Sequence, residues 1–549
     1  MPTPSPVIFR ARRIVTLDPS CPVADAVAVV DGRVLHTGTF EEVSSDLAGL
    51  GAIVDDRFGD QVIVPGFIEG HCHILDEGSL SRFAWLGSYD RRTPDGGVQP
   101  GCATHDAALA RIARAASETP EPNDVVVCLG WDPAMAGSPG LDRHVLDAVA
   151  PGRAVYVHQS NGHVGHASSV LLERAGVSRD TRVPGVVRDD AGEPTGTLHE
   201  VDALVLVLGT HVRLSRGVAE GMRDGGSLAR HVGCTTVTDL AFTATTKLVD
   251  QVAGIVETDD FPVRVVYAPL VQVLERTLGA DTLDHVRSLA ARTGMKHRMG
   301  PVKFMLDGSI QGRTGQLDWP GYCCGDDHGM WVVDPDEMVE KMRPFHQAGL
   351  QLAMHTNGDK AIAAGVEIYR RLLSDHPRVD HRHRLEHVQM ATEEMFRRMR
   401  TLGVLPNLFV NHIWYWGDIH RAQTIGPAKA RRLDACGTAH RLGIPFSIHC
   451  DAPVTPLDPL FTMWCAVNRL TSSGHLLGAD QRIPAEAALR AVTLDSAHLL
   501  HLDDEIGSIE VGKRADFAVL SEDPTAVDPL AIKDIAVRAT VCDGRIHQS

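Results

Sequence analysis

The sequence predicts an α/β fold: a (β/α)8 TIM-like barrel, a small β-sandwich domain from both chain ends, and a large insertion after the first barrel strand. Short apolar runs that end in polar residues beside Gly or Pro are typical of buried parallel strands giving way to loops. The polar residues that end these runs, or in one case lie within a run, include pairs that are one or two β–α unit lengths of roughly 30 residues apart. They are His71, His73, Lys303, His355, His387 and Asp451.

The first strand of the predicted barrel ends in a His-x-His motif. His71 and His73 follow the apolar run 62–68. Residues i and i+2 of a strand face the same side, so both imidazoles point to one place. That arrangement suits the first two ligands of a divalent metal.

The later polar residues follow the barrel spacing. His355 and His387 are 32 residues apart, which is one unit, and His387 and Asp451 are 64 apart, which is two. Placed on strands 1, 4, 5, 6 and 8, all six residues would lie at the C-terminal face, where barrel active sites are built. Between His73 and Lys303 there are 230 residues where three units need roughly 90, so about 140 residues form an insertion.

Both chain ends are rich in hairpin-like strands. Residues 7–60 alternate strand-like runs with turns such as Asp31-Gly32, and the C-terminus repeats this pattern. We therefore expect residues 1–62 and 505–549 to form the β-sandwich domain, and residues 63–75 and 216–504 to form the barrel. Residues 76–215 would be an insertion subdomain covering the active site.

The composition restricts the function classes. The chain has 549 residues, of which 44% are hydrophobic and 22% charged, as in soluble globular enzymes. A net charge of −17 without a basic cluster argues against nucleic acid and anionic membranes as partners. The eleven cysteines contain no C-x-x-C pair, and no signal or membrane segment is visible, which predicts a cytoplasmic protein. We expect a small-molecule substrate as the partner, with a homodimer as one alternative for the oligomeric state.

Longer motifs surround the metal-ligand candidates. They are VPGFIEGHCH (64–73), SNGH (160–163), GEPTG (192–196), VKFMLDGS (302–309), RLEH (384–387) and GSIEVGKRAD (507–516). With these motifs in this order, the chain resembles the amidohydrolase superfamily, and within it the amidohydrolase-3 (YtcJ-like) branch of metal-dependent hydrolases. The resemblance spans nearly the whole chain, and it also implies the barrel and the β-sandwich.

The resemblance implies one or two divalent ions per chain. Zn²⁺ is the expected metal, with Mn²⁺ or Fe²⁺ as alternatives, because neutral imidazoles and a carboxylate suit these ions. One ion would bind His71, His73 and Asp451, and a second would bind His355 and His387.

The resemblance also implies that Lys303 is carboxylated. An ammonium group cannot ligate a metal, but a buried lysine has a lowered pKa, and its neutral amine can capture CO2. The resulting carbamate would bridge two ions. The alternative for Lys303 is a strand-end lysine that reaches solvent or pairs with Asp307.

Other residues are candidates for catalysis and substrate binding. Asp451 is predicted to be the proton shuttle, the alternative being the cap of the following helix. His163 is either a catalytic and substrate-binding residue or a residue that fixes a loop. Arg313 would grip a substrate carboxylate or pair with acids of its loop. Trp131 and Trp416 would line an aromatic pocket or pack in the core.

These inferences predict a metal-dependent amidohydrolase. It would hydrolyse a C–N bond (amide, cyclic amide, N-acyl or N-formyl) of a small molecule with metal-activated water. The alternatives are hydrolysis of a lactone or ester C–O bond, isomerase or lyase chemistry at the same centre, and an inactive binding module. The module is disfavoured because all six ligand positions are filled. The substrate is not specified, because loops and the insertion determine it.

Overall fold

The computed structural model describes residues 5–132, 140–160, 162, 164–209, 211–212, 217–323, 325 and 327–548. The chain divides into two compact units, Met1–Ile74 with Ala229–Ser549, and Leu75–Leu228. Within the described ranges, no helix is long and apolar enough to cross a membrane.

The N-terminal part of the first unit consists mainly of strands. These are β1 Val7–Val15, β2 Val23–Val30, β3 Arg33–Gly38, β4 Ile53–Asp55, β5 Val62–Pro65 and β6 Phe67–Glu69, with helix α1 Phe40–Asp46. Gly66 alone separates β5 from β6. A Cβ atom at this position would lie 2.1 Å from Thr235 Oγ1, so only glycine fits.

The second unit has its own sheet and helices. Its strands are β7 Ala84–Trp85, β8 Arg91–Arg92, β9 Val98–Gln99, β10 Val126–Trp131, β11 Val155–Gln159, β12 Val164–Ala167, β13 Val186–Arg188 and β14 Pro194–His199. The helices in this part of the chain are α2 Ile74–Leu80, α3 His105–Glu118, α4 Arg143–Val149, α5 Ser169–Arg174, α6 Glu200–Leu204 and α7 Val218–His231. The main sheet has six strands in the order β13-β14-β12-β11-β10-β7.

The remainder of the first unit alternates strands and helices. The strands are β15 Cys234–Phe242, β16 Arg264–Pro269, β17 His297–Met299, β18 Val302–Met305, β19 Leu352–Thr356, β20 Arg384–His387, β21 Leu405–Leu408, β22 Ser447–Ile448, β23 Phe517–Leu520, β24 Val537–Cys542 and β25 Arg545–Gln548. The helices are α8 Thr246–Val256, α9 Val271–Leu278, α10 Thr282–Ala290, α11 Pro335–Gln347, α12 Asp359–Asp375, α13 Glu393–Leu402, α14 His412–Ile419, α15 Gly426–Ala430, α16 Cys436–Arg441, α17 Pro459–Asn468, α18 Ala485–Ala491 and α19 Leu494–Leu499.

The local sequence explains where several of these helices begin. The Thr245 and Thr392 hydroxyls accept a backbone N–H at the starts of α8 and α13, and Asp458 does the same for α17. Such caps satisfy donors that have no partner within the helix. The short apolar strands between the helices are buried, as parallel strands covered on both faces are.

Two parallel sheets carry the candidate metal ligands. One has the order β17-β16-β15-β6 and the other the order β18-β19-β20-β21-β22. This confirms the α/β class. The closed eight-stranded barrel is not confirmed, because strand pairing within the described ranges leaves two open sheets. The reason is that residues 265–267 of β16 pair with β17, and an isolated bridge between Leu270, just after β16, and Lys303 is the recorded link to β18 within the described ranges.

Strands from both chain ends form a further sheet. Its order is β25-β24-β23-β5-β1-β2-β3, with β4 paired to β1. In this mixed sheet the C-terminal β23 pairs antiparallel with β5, so that Pro65 lies opposite Phe517. The pairing describes one continuous sheet and does not define the two separate layers of the predicted β-sandwich.

A buried ion-pair cluster connects β16 to this terminal sheet. The Arg264 guanidinium donates to Asp516 at 2.6 Å and to Asp543 at 3.0 Å. Arg514 donates to Asp543 at 2.8 Å. The Arg264 and Asp516 side chains are 1% and 3% exposed, so each depends on the other for compensation of its charge.

We expect the Asp516→Asn substitution to lower the free energy of unfolding by about 3–5 kcal/mol, because it leaves the buried Arg264 charge partly uncompensated. Chemical denaturation followed by circular dichroism measures this loss. The control is Glu393→Gln, which removes an exposed i,i+4 pair with Arg397 and should change stability by less than about 1 kcal/mol. Equal effects of the two substitutions would contradict the assignment.

Candidate metal centre

The candidate ligands stand at the C-terminal ends of the parallel strands. His71 and His73 follow β6, His355 lies in β19, His387 ends β20, and Asp451 follows β22. Because β19 and β20 are paired in parallel with His387 opposite Thr356, their ligand-bearing ends lie at the same level.

His71, His73 and Asp451 form the first ligand group. Asp451 Oδ1 lies 3.4 Å from His71 Nε2 and 3.2 Å from His73 Nε2. The two imidazole planes are inclined by 84°, so their nitrogen lone pairs can converge. The three ligand atoms lie within 4.8 Å of one another, which is compatible with coordination of one divalent ion after small adjustments.

His387 adjoins this group on the other side of His71. Its Nδ1 lies 3.7 Å from Asp451 Oδ2, and its ring is 4.6 Å from the His71 ring. In the part of the chain that is described, His387 Nδ1 and Asp451 Oδ1 are buried without a hydrogen-bond partner. Buried polar atoms normally have partners, so these two fit ligands of an ion.

His449 is close to the same site but is oriented differently. Its ligand atom lies within 4.8 Å of those of His71 and His387. Its ring stacks on that of His71, with centroids 4.7 Å apart and planes inclined by only 20°. The lone pairs of nearly parallel stacked rings lie in two separate, nearly parallel planes, so these two imidazoles do not direct them at one nearby point in this orientation. Within the described residues both His449 nitrogens are buried without a hydrogen-bond partner, so His449 is a further candidate ligand, which would have to rotate to share an ion with His71.

His355 belongs to neither ligand group within the described ranges. Its Nε2 lies 3.1 Å from the Gly308 carbonyl oxygen and 3.0 Å from Asn357 Nδ2. Its ring is nevertheless only 4.5 Å from that of His387. Burial and the Lys303 charge lower the pKa of His355 to about 4. The structure thus places His355 beside the site, with one nitrogen in contact with a loop.

Lys303 is buried in β18 with 1% of its surface exposed. Burial lowers the pKa of its amine to about 8, against the opposing charges of Glu386 and Asp451. The alternative in which Lys303 reaches solvent is wrong. Pairing with Asp307 has no support either, because the Asp307 carboxylate accepts the backbone N–H groups of Gln316, Asn357 and Gly358, each at 2.9 Å.

Burial keeps the candidate ligands in the form that binds metal. Removal from water lowers the pKa of His71 and of His387 well below the ordinary value, and the Lys303 charge acts in the same direction. Both imidazoles are therefore neutral near pH 7, and each retains a lone pair for coordination.

Glu386 is the functional residue that the sequence did not single out. Its carboxylate lies 2.7 Å from His71 Nδ1 and also accepts hydrogen bonds from Arg384 and Asn407. Burial would raise its pKa, but the Arg384 and Lys303 charges outweigh burial, and the net shift is downward. The signal was available as two oppositely charged residues, Arg384 and Glu386, alternating in the strand that ends in the ligand candidate His387.

Two ligands have unusual backbone conformations. His387 has φ +68° and Asp451 has φ +56°, in the left-handed region. Such residues cost about 1–3 kcal/mol each and cluster at functional sites. At His387 the change of direction lets Glu386 and His387 both face the site, although successive strand residues normally point to opposite faces.

The other predicted site residues have different positions. His163 lies outside the described residues. Arg313 is exposed and occupies a turn with φ +56°. Trp131 is buried in the hydrophobic core of the second unit, where its ring contacts His105 at 5.2 Å. Its prediction as a pocket wall therefore has no support, and its environment is that of core packing.

Trp416 is connected to the ligand group by a series of ring contacts. Its ring lies 4.4 Å from that of His412, which lies 4.5 Å from Phe409. Phe409 in turn stacks on His449 at 4.8 Å. Aromatic rings thus form a continuous layer from α14 to the site.

Buried imidazoles and a carboxylate that meet at the ends of parallel strands are the donor set of a divalent-metal site in an enzyme. Residues 59–548 match the model of the amidohydrolase family. The chain therefore belongs to the amidohydrolase family and is a metal-dependent hydrolase.

Individual relatives cover nearly the whole chain. It is 26% identical over 544 residues to the protein YtcJ of Bacillus subtilis, described as an amidohydrolase, with 95% of each chain covered. It is 27% identical over 550 residues to the N-substituted formamide deformylase of Arthrobacter pascens, with 96% of each covered. The solved structure of an uncharacterized metal-dependent hydrolase from Pyrococcus horikoshii has a TM-score of 0.73 at 20% identity, over 96% of this chain and 99% of the other. This last likeness shows a shared fold.

We expect replacement of both His71 and His73 by Ala to abolish binding of divalent metal, because it removes two of the three atoms of the first ligand group. Metal content after zinc loading and dialysis, measured by mass spectrometry, tests this. The control His36→Ala removes a histidine that pairs with Asp46 in the terminal sheet region, and it should retain the metal. A double variant that keeps its metal would show that the ion is held elsewhere.

Proposed function

We propose that this chain hydrolyses a C–N bond of a small molecule, in an amide, cyclic amide, N-acyl or N-formyl group. The observation that carries the proposal is the buried Asp451 carboxylate, which lies 3.2–3.4 Å from two imidazole nitrogens at the strand ends. The relative named as a deformylase of N-substituted formamides supports the choice of a C–N bond.

We further propose that eight parallel strands form a barrel around this centre, in the order β6, β15, β16, β18, β19, β20, β21 and β22. The bridge between Leu270 and Lys303 supports one seam between the two sheets. The hydrogen bond from Asp451 N–H to the His71 carbonyl oxygen, 3.2 Å long, supports the other. Both seams lie next to candidate ligands.

Zn²⁺ is the proposed metal, held by His71, His73 and Asp451 with His387 beside them. When bound, such an ion polarises a substrate carbonyl and lowers the pKa of water. Lys303 is the proposed site of a carbamate, because its amine is buried next to these residues and its pKa is lowered to about 8.

The protein's own residues supply proton transfer and exclusion of solvent. Asp451 accepts the proton of the attacking water and delivers it to the leaving nitrogen, because a carboxylate can take up and return a proton within hydrogen-bond reach. The ring layer of Phe409, His412 and Trp416 keeps one side of the site apolar, which strengthens electrostatic interactions there.

A substrate panel tests the bond type. Zinc-loaded protein should hydrolyse members of a set of N-formyl, N-acyl and cyclic amide compounds, with release of an amine or a ring-opened product detected by mass spectrometry. Lactones and esters of matched size form the comparison set. Turnover of the lactones alone would assign the enzyme to C–O bonds and contradict the proposal.

We expect Asp451→Asn to lower kcat by about 10²–10⁴-fold, because an amide cannot carry the proton. Its oxygen can still coordinate, so the metal content should fall less than in the His71 and His73 double variant. The matched control is Asp516→Asn, a buried carboxylate in the terminal sheet, assayed at a temperature where it is folded. An Asp451→Asn enzyme with native kcat would place the base elsewhere.

A further inference from the structure

We propose that Glu386, with Arg384 and Asn407, acts as a set of positioning residues that fixes the orientation and tautomer of His71 and thereby the metal affinity of the centre. The inference rests on the proposed function, because it requires an ion at His71. No step of the proposed reaction uses these three residues directly.

The contacts of Glu386 determine which His71 nitrogen carries the proton. Arg384 donates to the two carboxylate oxygens at 2.8 and 2.9 Å, and Asn407 Nδ2 donates at 2.8 Å. These contacts are all donors, so the carboxylate acts as an acceptor throughout. His71 Nδ1, at 2.7 Å from Oε2, must then be the donor.

This assignment leaves the His71 Nε2 lone pair free for the metal. Nε2 is the atom that faces Asp451 Oδ1 at 3.4 Å. A histidine that donates its other N–H to a carboxylate is fixed in tautomer and ring orientation, and it is a more basic ligand. The side chain of His71 is thus oriented for coordination before any ion binds.

The same residues also hold the backbone next to His71. Arg384 Nη2 donates to the Gly70 carbonyl oxygen at 2.8 Å, and Asn407 Nδ2 donates to it at 3.2 Å. The network therefore contacts both the ring of His71 and the peptide group that precedes it. Arg384 and Asn407 each donate to the Glu386 carboxylate and to the Gly70 carbonyl oxygen. They therefore restrict movement of the His71 ring and of the peptide group that precedes it.

Charge balance links this network to the ion. The Arg384 and Glu386 side chains are fully buried as a pair. With Glu386 neutralised by substitution, the Arg384 charge would remain uncompensated close to a site intended for a cation. Substitution of Glu386 should therefore lower the metal affinity by more than its effect on the stability of the fold would account for.

The experiment measures zinc affinity by chelator competition and the visible absorption of the cobalt(II)-loaded full-length protein. Glu386→Gln should bind zinc about 10–100-fold more weakly, as is typical when the partner of a ligating histidine is lost. Its cobalt spectrum should change, because the orientation of one ligand changes. Asn407→Ala, which keeps the carboxylate but removes one donor, should show a smaller loss in the same direction.

Asp516→Asn serves as the matched control for loss of a buried Arg–carboxylate pair. It should lower stability yet leave zinc affinity and the cobalt spectrum unchanged, because Asp516 pairs with Arg264 in the terminal sheet. If Glu386→Gln and Asn407→Ala both had native zinc affinity and an unchanged cobalt spectrum, the positioning role would be overturned and the proposed function would stand. A native chain that binds no divalent ion would overturn the proposed function and the inference together.

Discussion

The parallel register of β18 to β22 is the constraint on which the candidate centre depends. Pairing of His355 with Met305 and of His387 with Thr356 brings the ends of neighbouring strands to one level. A shift by one residue would turn every side chain of a strand to the opposite face. Lys303, His355 and Glu386 would then face the helices, and the first ligand group would lose the residues that surround it.

The register also explains how so many charged side chains are accommodated in an apolar interior. Arg384 and Glu386 compensate each other, and Asp307 is satisfied by three backbone N–H groups. Burial of charge without such partners is strongly unfavourable. Among the described residues, His387 Nδ1 and Asp451 Oδ1 are two of the buried atoms without a hydrogen-bond partner, and both lie beside the proposed ion site. In β20, for example, Arg384 and Glu386 compensate each other's charge, whereas the adjacent His387 is a candidate metal ligand.

The sequence was sufficient for the α/β class and the family, because the strand patterns and motifs that indicate them are local. His71 and His73 follow from strand alternation, and Asp451 from spacing. Closure of the barrel could not be inferred so directly, because β22 has two residues and β6 has three. Such short strands have little pattern of their own, and their neighbours are determined by packing.

Interactions between distant residues were beyond sequence reasoning. The bond between His71 and Glu386 joins positions 315 residues apart, and the alternation of Glu386 and His387 is altered by a positive φ that no composition reveals. Trp131 and Trp416 have the same chemistry, yet the first is a core residue of the second unit and the second is linked to His71 through the rings of His412, Phe409 and His449. Only their surroundings distinguish them.

The pairing of β5 with β23 has a consequence for synthesis of the chain. The strand that leads through Gly66 into the His-x-His motif pairs antiparallel with Phe517–Leu520, and the paired residues Pro65 and Phe517 are 452 positions apart. Asp451 also follows His71 by 380 positions. The first ligand group can therefore assemble only after these 380 positions have been synthesised, and β5 gains its partner β23 later still.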